Sequence, residues 1–164
     1  RSNVTILDAR IFNTSDGYSL DSFLIADHEY QPLEESHQSV YLLELMQANI
    51  TQPLETIPEV SRHTPRQIKH FEFPTKVEFE QHDNLDRTIM HVKALDRPGL
   101  LSRIARALHD CEIQLSNARV ATFGERAEDI FDITDKHDQS IRDPSQFNCL
   151  EQAITKYLNN EQTD

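Results

Sequence analysis

Leu95-Asp96-Arg97-Pro98-Gly99-Leu100-Leu101 ends one element and begins another within seven residues. A strand-like run, Thr88–Leu95, leads into it, and a helical run, Ser102–Asp110, leaves it. Asp96 is a candidate cap for the free N–H groups of that helix. Pro98 suits a first helical turn, where its missing N–H costs nothing. Gly99 lacks a Cβ, so a backbone or a small ligand can approach closely. The positive end of a helix then faces whatever sits there, and a carboxylate is its natural guest.

Working outward, the chain repeats itself, and repeats constrain a fold strongly. Val4–Asp27 matches Ile113–Asp135. Asp8-Ala9-Arg10-Ile11 lies against Asn117-Ala118-Arg119-Val120, and Asp21-Ser22-Phe23-Leu24-Ile25-Ala26-Asp27 against Asp129-Ile130-Phe131-Asp132-Ile133-Thr134-Asp135. The copies change length where Gly17 and Gly124 fall, as a hairpin turn tolerates. Each copy is therefore predicted to be a β-hairpin followed by a helix. In the first, Ser39–Ile50 carries Val40, Leu43, Met46 and Ile50 on one face. In the second, Asp143-Pro144 signals a helix start, and Leu150, Ala153, Ile154, Tyr157 and Leu158 form an apolar stripe. The helix after Gly99 is expected to turn Leu101, Ile104, Ala105 and Leu108 inward.

The second copy thus reads β-α-β-β-α, the ferredoxin-like pattern, which usually closes with a fourth strand. The alternating stretch Thr75–Gln81 is placed in that slot, joined by the polar turn His82–Arg87. The fold class is α+β: βαββαβ modules with an antiparallel sheet and helices on one face, the first module truncated. Residues 1–50 are expected to be the β-β-α part of a first module. Residues 51–74, with Pro53, Pro58 and Pro65, read as an extended linker, and residues 75–164 as a second module. The chain starts with Arg1 inside a strand-like pattern and is read as a cytoplasmic fragment of something longer.

Composition narrows the function classes. Net charge is −12 over 164 residues, with ten acids against two bases in the first 60. No basic stripe exists, which disfavours nucleic acid and anionic membranes as partners. No apolar run approaches the ~20 residues that span a bilayer. Cys111 and Cys149 show no C-x-x-C spacing and are read as two small buried thiols. Three glycines leave none for a phosphate-binding loop, and the eight histidines form no tight ligand pair. His82 with Asp83 reads as a solvated turn rather than a metal site, and no serine has a nucleophile-elbow frame. Asp129 and Asp132 fall on opposite faces of a strand and cannot pair. Asp21 and Asp129 are read as strand-edge charges.

The Asp96–Leu101 stretch, with the Asn117-Ala118-Arg119-Val120 strand, the Phe123-Gly124-Glu125-Arg126-Ala127-Glu128-Asp129 turn and the Phe131 strand, resembles ACT domains, small regulatory modules that bind amino acids. Asp8-Ala9-Arg10-Ile11-Phe12, Asp16-Gly17-Tyr18, Asp21-Ser22-Phe23 and the proline-bearing linker extend the likeness to nearly the whole chain. The layout is similar to the C-terminal region of the bacterial bifunctional uridylyltransferase/uridylyl-removing enzymes, which act on the PII nitrogen-signalling protein. That resemblance implies a glutamine-sensing region working on catalytic domains that lie elsewhere and use Mg2+ or another divalent metal. It implies no catalytic residue, metal or cofactor in this chain. The implied ligand-binding residues are Asp96, Arg97, Pro98, Gly99, Leu100 and Leu101, with Asn117 and Ala118 from the adjoining strand. Asp8, the counterpart of Asn117, is a further candidate. The implied roles are carboxylate recognition by N–H groups around Gly99, with Asn117 or Asp96 holding the amino group or side chain. The other reading is a structural module that dimerises through exposed sheet edges and binds nothing.

Overall fold

Alternating apolar residues followed by a glycine turn produce two hairpins, and the described chain is built around them. A computed structural model describes residues 4–14, 16–27, 31–33, 38–50, 52, 73–81 and 86–159. Its elements are β1 (Thr5–Asn13), β2 (Ser19–Ala26), α1 (Gln38–Asn49), β3 (Lys76–Gln81), β4 (Thr88–Leu95), α2 (Leu100–Asp110), β5 (Gln114–Phe123), β6 (Arg126–Thr134) and α3 (Pro144–Asn159). Among the described residues the strands form one six-stranded sheet, ordered β2-β1-β5-β6-β4-β3. Every neighbouring pair is antiparallel. Within β3–β6 this is the ferredoxin order, with β3 at the edge beside β4. Nearly all of residues 51–74, and His82 and Asp83, lie outside the described residues.

The core sits between one face of the sheet and two helices. Met90, Val92 and Ala94 from β4 and Phe131 and Ile133 from β6 meet Leu100, Ile104, Ala107 and Leu108 of α2 and Leu150, Ile154 and Leu158 of α3. The α3 stripe is as expected. On α2 the buried alanine is Ala107, whereas Ala105 is exposed. The Asp143 carboxylate caps α3, accepting from Ser145 N–H at 2.9 Å.

The two copies join through equivalent strands. β1 pairs with β5 in the register Asp8↔Ala121, Ala9↔Val120, Arg10↔Arg119, Ile11↔Ala118 and Phe12↔Asn117. Asp8 matches Asn117 in the repeat and Phe12 matches Ala121, so the pairing maps onto itself about the Arg10–Arg119 pair. A local two-fold therefore passes between those arginines. Both copies also bulge at the same place, between Ile6 and Asp8 and between Leu115 and Asn117. The Asp27 and Asp135 turns match too. In each, the aspartate N–H donates to the carbonyl of a glutamine four residues on, and the aspartate carboxylate accepts that glutamine's N–H.

Two expectations are corrected. Cys111 and Cys149 are not separate thiols but a disulfide with Cα atoms 5.9 Å apart. Cys111 caps the end of α2 while Cys149 lies on α3, and packing those helices together brings the cysteines within bridging range, which a separation of 38 residues does not reveal. Asp129 is not a strand-edge charge: β6 lies between β5 and β4, and Asp129 is 1% exposed. On α1 and just after it, Val40, Leu43, Met46 and Ile50 are all exposed, while Leu42 and Leu45 are half-buried.

Candidate functional site

The approach to α2 is a turn rather than a side-chain cap. Leu100 N–H donates to Arg97 carbonyl at 3.0 Å, closing a four-residue turn with Pro98 and Gly99 at its centre. Gly99 has φ 81° and ψ 10°, which fits the third position of a type II turn after a proline. A Cβ is strained in this left-handed region, so glycine belongs there. Gly99 is also the residue immediately before the helix, and no side chain caps the helix start. The expected Asp96 cap is therefore absent, because Asp96 lies three residues too early. Leu101 and Ser102 lead the helix with the positive end of its dipole uncovered by any carboxylate cap.

Two acids, Asp96 before the turn and Asp129 on β6, are shifted by burial. Asp96 is half-buried and donates its backbone N–H to Glu125 carbonyl at 2.9 Å. Burial pushes its carboxyl above the usual carboxylate range. Asp129 is buried, and its Oδ1 accepts only from Ala121 N–H at 3.4 Å, while Oδ2 has no partner. Burial pushes Asp129 up to about 7; the Ala121 hydrogen bond opposes this and the charge of Asp96 adds to it. Asp129 pairs with Val92 in the ladder and alternates with Ala127 and Phe131, which lie in the core below α2. Its side chain is thus on the helix side of the sheet. Sequence reading left Asp129 out of the site. The signal was an acid in phase with Ala127, Phe131 and Ile133 on a strand whose other residues in that phase are apolar.

The predicted site residues divide between places. Pro98 and Gly99 are the centre of the turn, and Asp96 leads into it. Leu100 and Ala118 are buried in the core, and Leu101 packs against it. Arg97 turns away and donates from Nη1 to Leu158 carbonyl at 3.3 Å, near the end of α3. Asn117 and Asp8 lie on the opposite, helix-free face. Asn117 donates to Asp132 at 3.4 Å, and Asp132 is ion-paired with Arg87 at 3.2 Å. Asp8 pairs with Arg10 at 3.6 Å. The bulges before Asp8 and Asn117 shift each strand by one residue, and a one-residue shift changes which face a side chain meets.

The helix-free face has an open depression of about 330 Å3 bordered by His91, Lys93, Arg119, Phe123 and Glu128. Its lining reaches Val92 and Asp129, where the β5–β6 ladder lacks the pairs between Arg119↔Ile130 and Thr122↔Ala127. Among the described residues no three His, Cys, Asp or Glu side chains gather as a metal site, and no helix is long and apolar enough to cross a membrane.

The family described as ACR9-like, ACT-like domain matches residues 76–161. The chain belongs to the ACT-like domain family. Curated relatives are similar over nearly its whole length. A bifunctional uridylyltransferase/uridylyl-removing enzyme of Pseudomonas entomophila is 38% identical over 161 residues, 95% of this chain and 17% of that protein. Proteins of the same name from Stutzerimonas stutzeri and Pseudomonas putida are 34% and 36% identical, over 97% and 95% of this chain and 18% and 17% of their own length. This ACT-like chain thus spans about a sixth of the length of those relatives. No solved structure matches it.

Proposed function

We propose that this ACT-like chain is the amino-acid-sensing region of a bifunctional uridylyltransferase/uridylyl-removing enzyme, with glutamine as ligand. On this reading the chain does no chemistry. Residues 1–50 and 75–164 are the part-module and the module, joined by the 51–74 linker. The catalytic domains, with their divalent metal, and the PII substrate belong to the rest of the enzyme. Ligand binding shifts that enzyme between states by its differential affinity for them. The observation that carries the proposal is the uncapped start of α2 behind Gly99. A carboxylate at the leading N–H groups of α2 completes the hydrogen bonding that no side chain supplies.

Titration with glutamine, followed by calorimetry and amide NMR, tests this. Saturable shifts at Gly99, Leu101 and Ser102 are expected. Unmoved resonances there at millimolar glutamine, in folded protein, sink the proposal. The exposed apolar side chains of α1 support a second reading, a packing module without ligand. On that reading the α2 amides stay silent while mass in solution exceeds that of one chain.

A further inference from the structure

We infer that the depression on the helix-free face is a ligand site of its own, separate from the α2 turn, and that it takes a phosphate monoester carrying a flat ring, as a nucleoside monophosphate does. Strand alternation builds it. Arg119 lies between buried Ala118 and Val120, and Lys93 between buried Val92 and Ala94, so both rise from the face that no helix covers. Ala121 and Phe123 follow Arg119 on β5 at two-residue steps and share that face. On β6, between them and Lys93, stand Ile130, opposite Arg119, and Glu128, opposite Lys93. The hollow they border measures about 330 Å3, at the lower end of the range for small-ligand sites. The single methyl of Ala121 keeps its middle open.

Two of the bordering cations have no carboxylate of their own. Among the described residues Lys93 and Arg119 form no ion pair, although the chain holds 28 acids against 16 bases. Glu128, directly opposite Lys93, is paired instead with Arg126 at 3.7 Å, and His91 is paired with Glu80 at 3.4 Å. Each of the two also faces a like charge: Arg119 stands opposite Arg10, and Lys93 opposite Lys76. Like charges directly opposite destabilise a ladder, and a dianion between Arg119 and Lys93 offsets that cost. Their strands, β5 and β4, are separated only by β6, a span of about 10 Å, so two long side chains can close on one phosphate. The acid beneath is Asp129, which burial pushes up to about 7, so at neutral pH it opposes an anion only in part. The ring has a partner too. Phe123 is 65% exposed and lies four residues beyond Arg119, about 13 Å along the strand. A free phosphate held at Arg119 does not reach it. A phosphate joined through a sugar to a planar base extends toward it and stacks there.

The experiment follows the amide NMR spectrum of the full chain during titration with uridine monophosphate, adenosine monophosphate, inorganic phosphate and uridine. Saturable shifts at Arg119, Ala121 and Phe123 are expected with either monophosphate. Inorganic phosphate and uridine each meet one half of the site and are expected to bind at least about 10-fold more weakly. Arg119→Gln is expected to weaken uridine monophosphate by about 10-fold or more. Phe123→Leu is expected to bring it within about threefold of inorganic phosphate. Both side chains are exposed, so both variants should keep the urea midpoint of the natural protein. No saturable shift at Ala121 and Phe123 with millimolar monophosphate overturns the site, as does undiminished affinity in folded Arg119→Gln. Shifts that fall at Gly99 and Leu101 instead overturn it as well. Inorganic phosphate binding as tightly as uridine monophosphate overturns the part assigned to the ring.

Discussion

Asp129 makes folding depend on pH in an unusual direction. Its pKa in the folded protein is about 7, against 3.8 for the ordinary group. The folded state therefore holds the proton longer than the unfolded chain does. Its contribution to stability is complete below pH ~4 and is lost as pH rises through about 7, with a slope of at most about 1.4 kcal/mol per pH unit. Asp135 and Asp143 are held low by backbone N–H groups, so their effects are confined to acid below their ordinary range. Urea melts are expected to show greater stability at pH 5 than at pH 8. Asp129→Asn should flatten that slope and stabilise the unliganded protein at pH 8. A natural protein equally stable at both values rules the account out. Gly99 gives a second expectation at this scale. At φ 81° an alanine is strained, and Gly99→Ala should lower stability by about 1–2 kcal/mol in the same melts. The glycine was legible in the sequence because only a few backbone shapes demand one. Asp96 was misread because a cap must directly precede its helix, and the turn type that decides this is set by Pro98 and Gly99 together.

At the scale of elements, the hairpins and the α3 stripe were legible because alternation, a turn glycine and a three-to-four spacing each have one structural meaning. The face of α2 was read nearly right: Leu101, Ile104 and Leu108 share a side, but whether Ala105 or Ala107 joins them depends on where α3 packs. The disulfide was illegible for the same reason, since it exists only once α2 and α3 have met. It closes a separation of 38 residues that includes β5, β6 and the turn into α3. By chain entropy, a loop of that size stabilises the fold by about 2–4 kcal/mol. Cys149→Ser is expected to lose an amount in that range in urea melts under non-reducing conditions. A thiol reductant should bring the natural protein to the variant's midpoint and leave the variant unmoved. Unequal midpoints under reduction would mean that Cys149 contributes by packing rather than by the bridge.

Across the whole molecule the local two-fold at Arg10 and Arg119 relates two copies that are unequally covered. In the second copy Phe131 is 3% exposed under α2 and α3, whereas its counterpart Phe23 is 37% exposed. On the opposite, helix-free face Leu20 and Leu24 of β2 are exposed next to Phe12 of β1, to which Leu20 is paired. Among the described residues, the far edge of β2 carries only the single bridge from Ala26 to Pro32. A strand edge with unpaired backbone and an apolar flank is a template for another strand, so the chain is expected to associate with itself through β2. The net charge of −12 opposes this, because two such chains repel at long range. Salt screens that repulsion while apolar burial persists, so association should strengthen as salt is raised, the reverse of what ion pairing would give. Sedimentation over a concentration series should show a mass rising above 19.0 kDa, more steeply at high salt. The double variant Leu20→Glu with Leu24→Glu charges the flank and should hold the mass at one chain, while leaving glutamine-induced shifts at Gly99 in place, since β2 is separated from β4 by three strands. Association that weakens with salt, or survives both charges, would put the contact elsewhere, and the exposed apolar side chains of α1 would then be the surface to charge next.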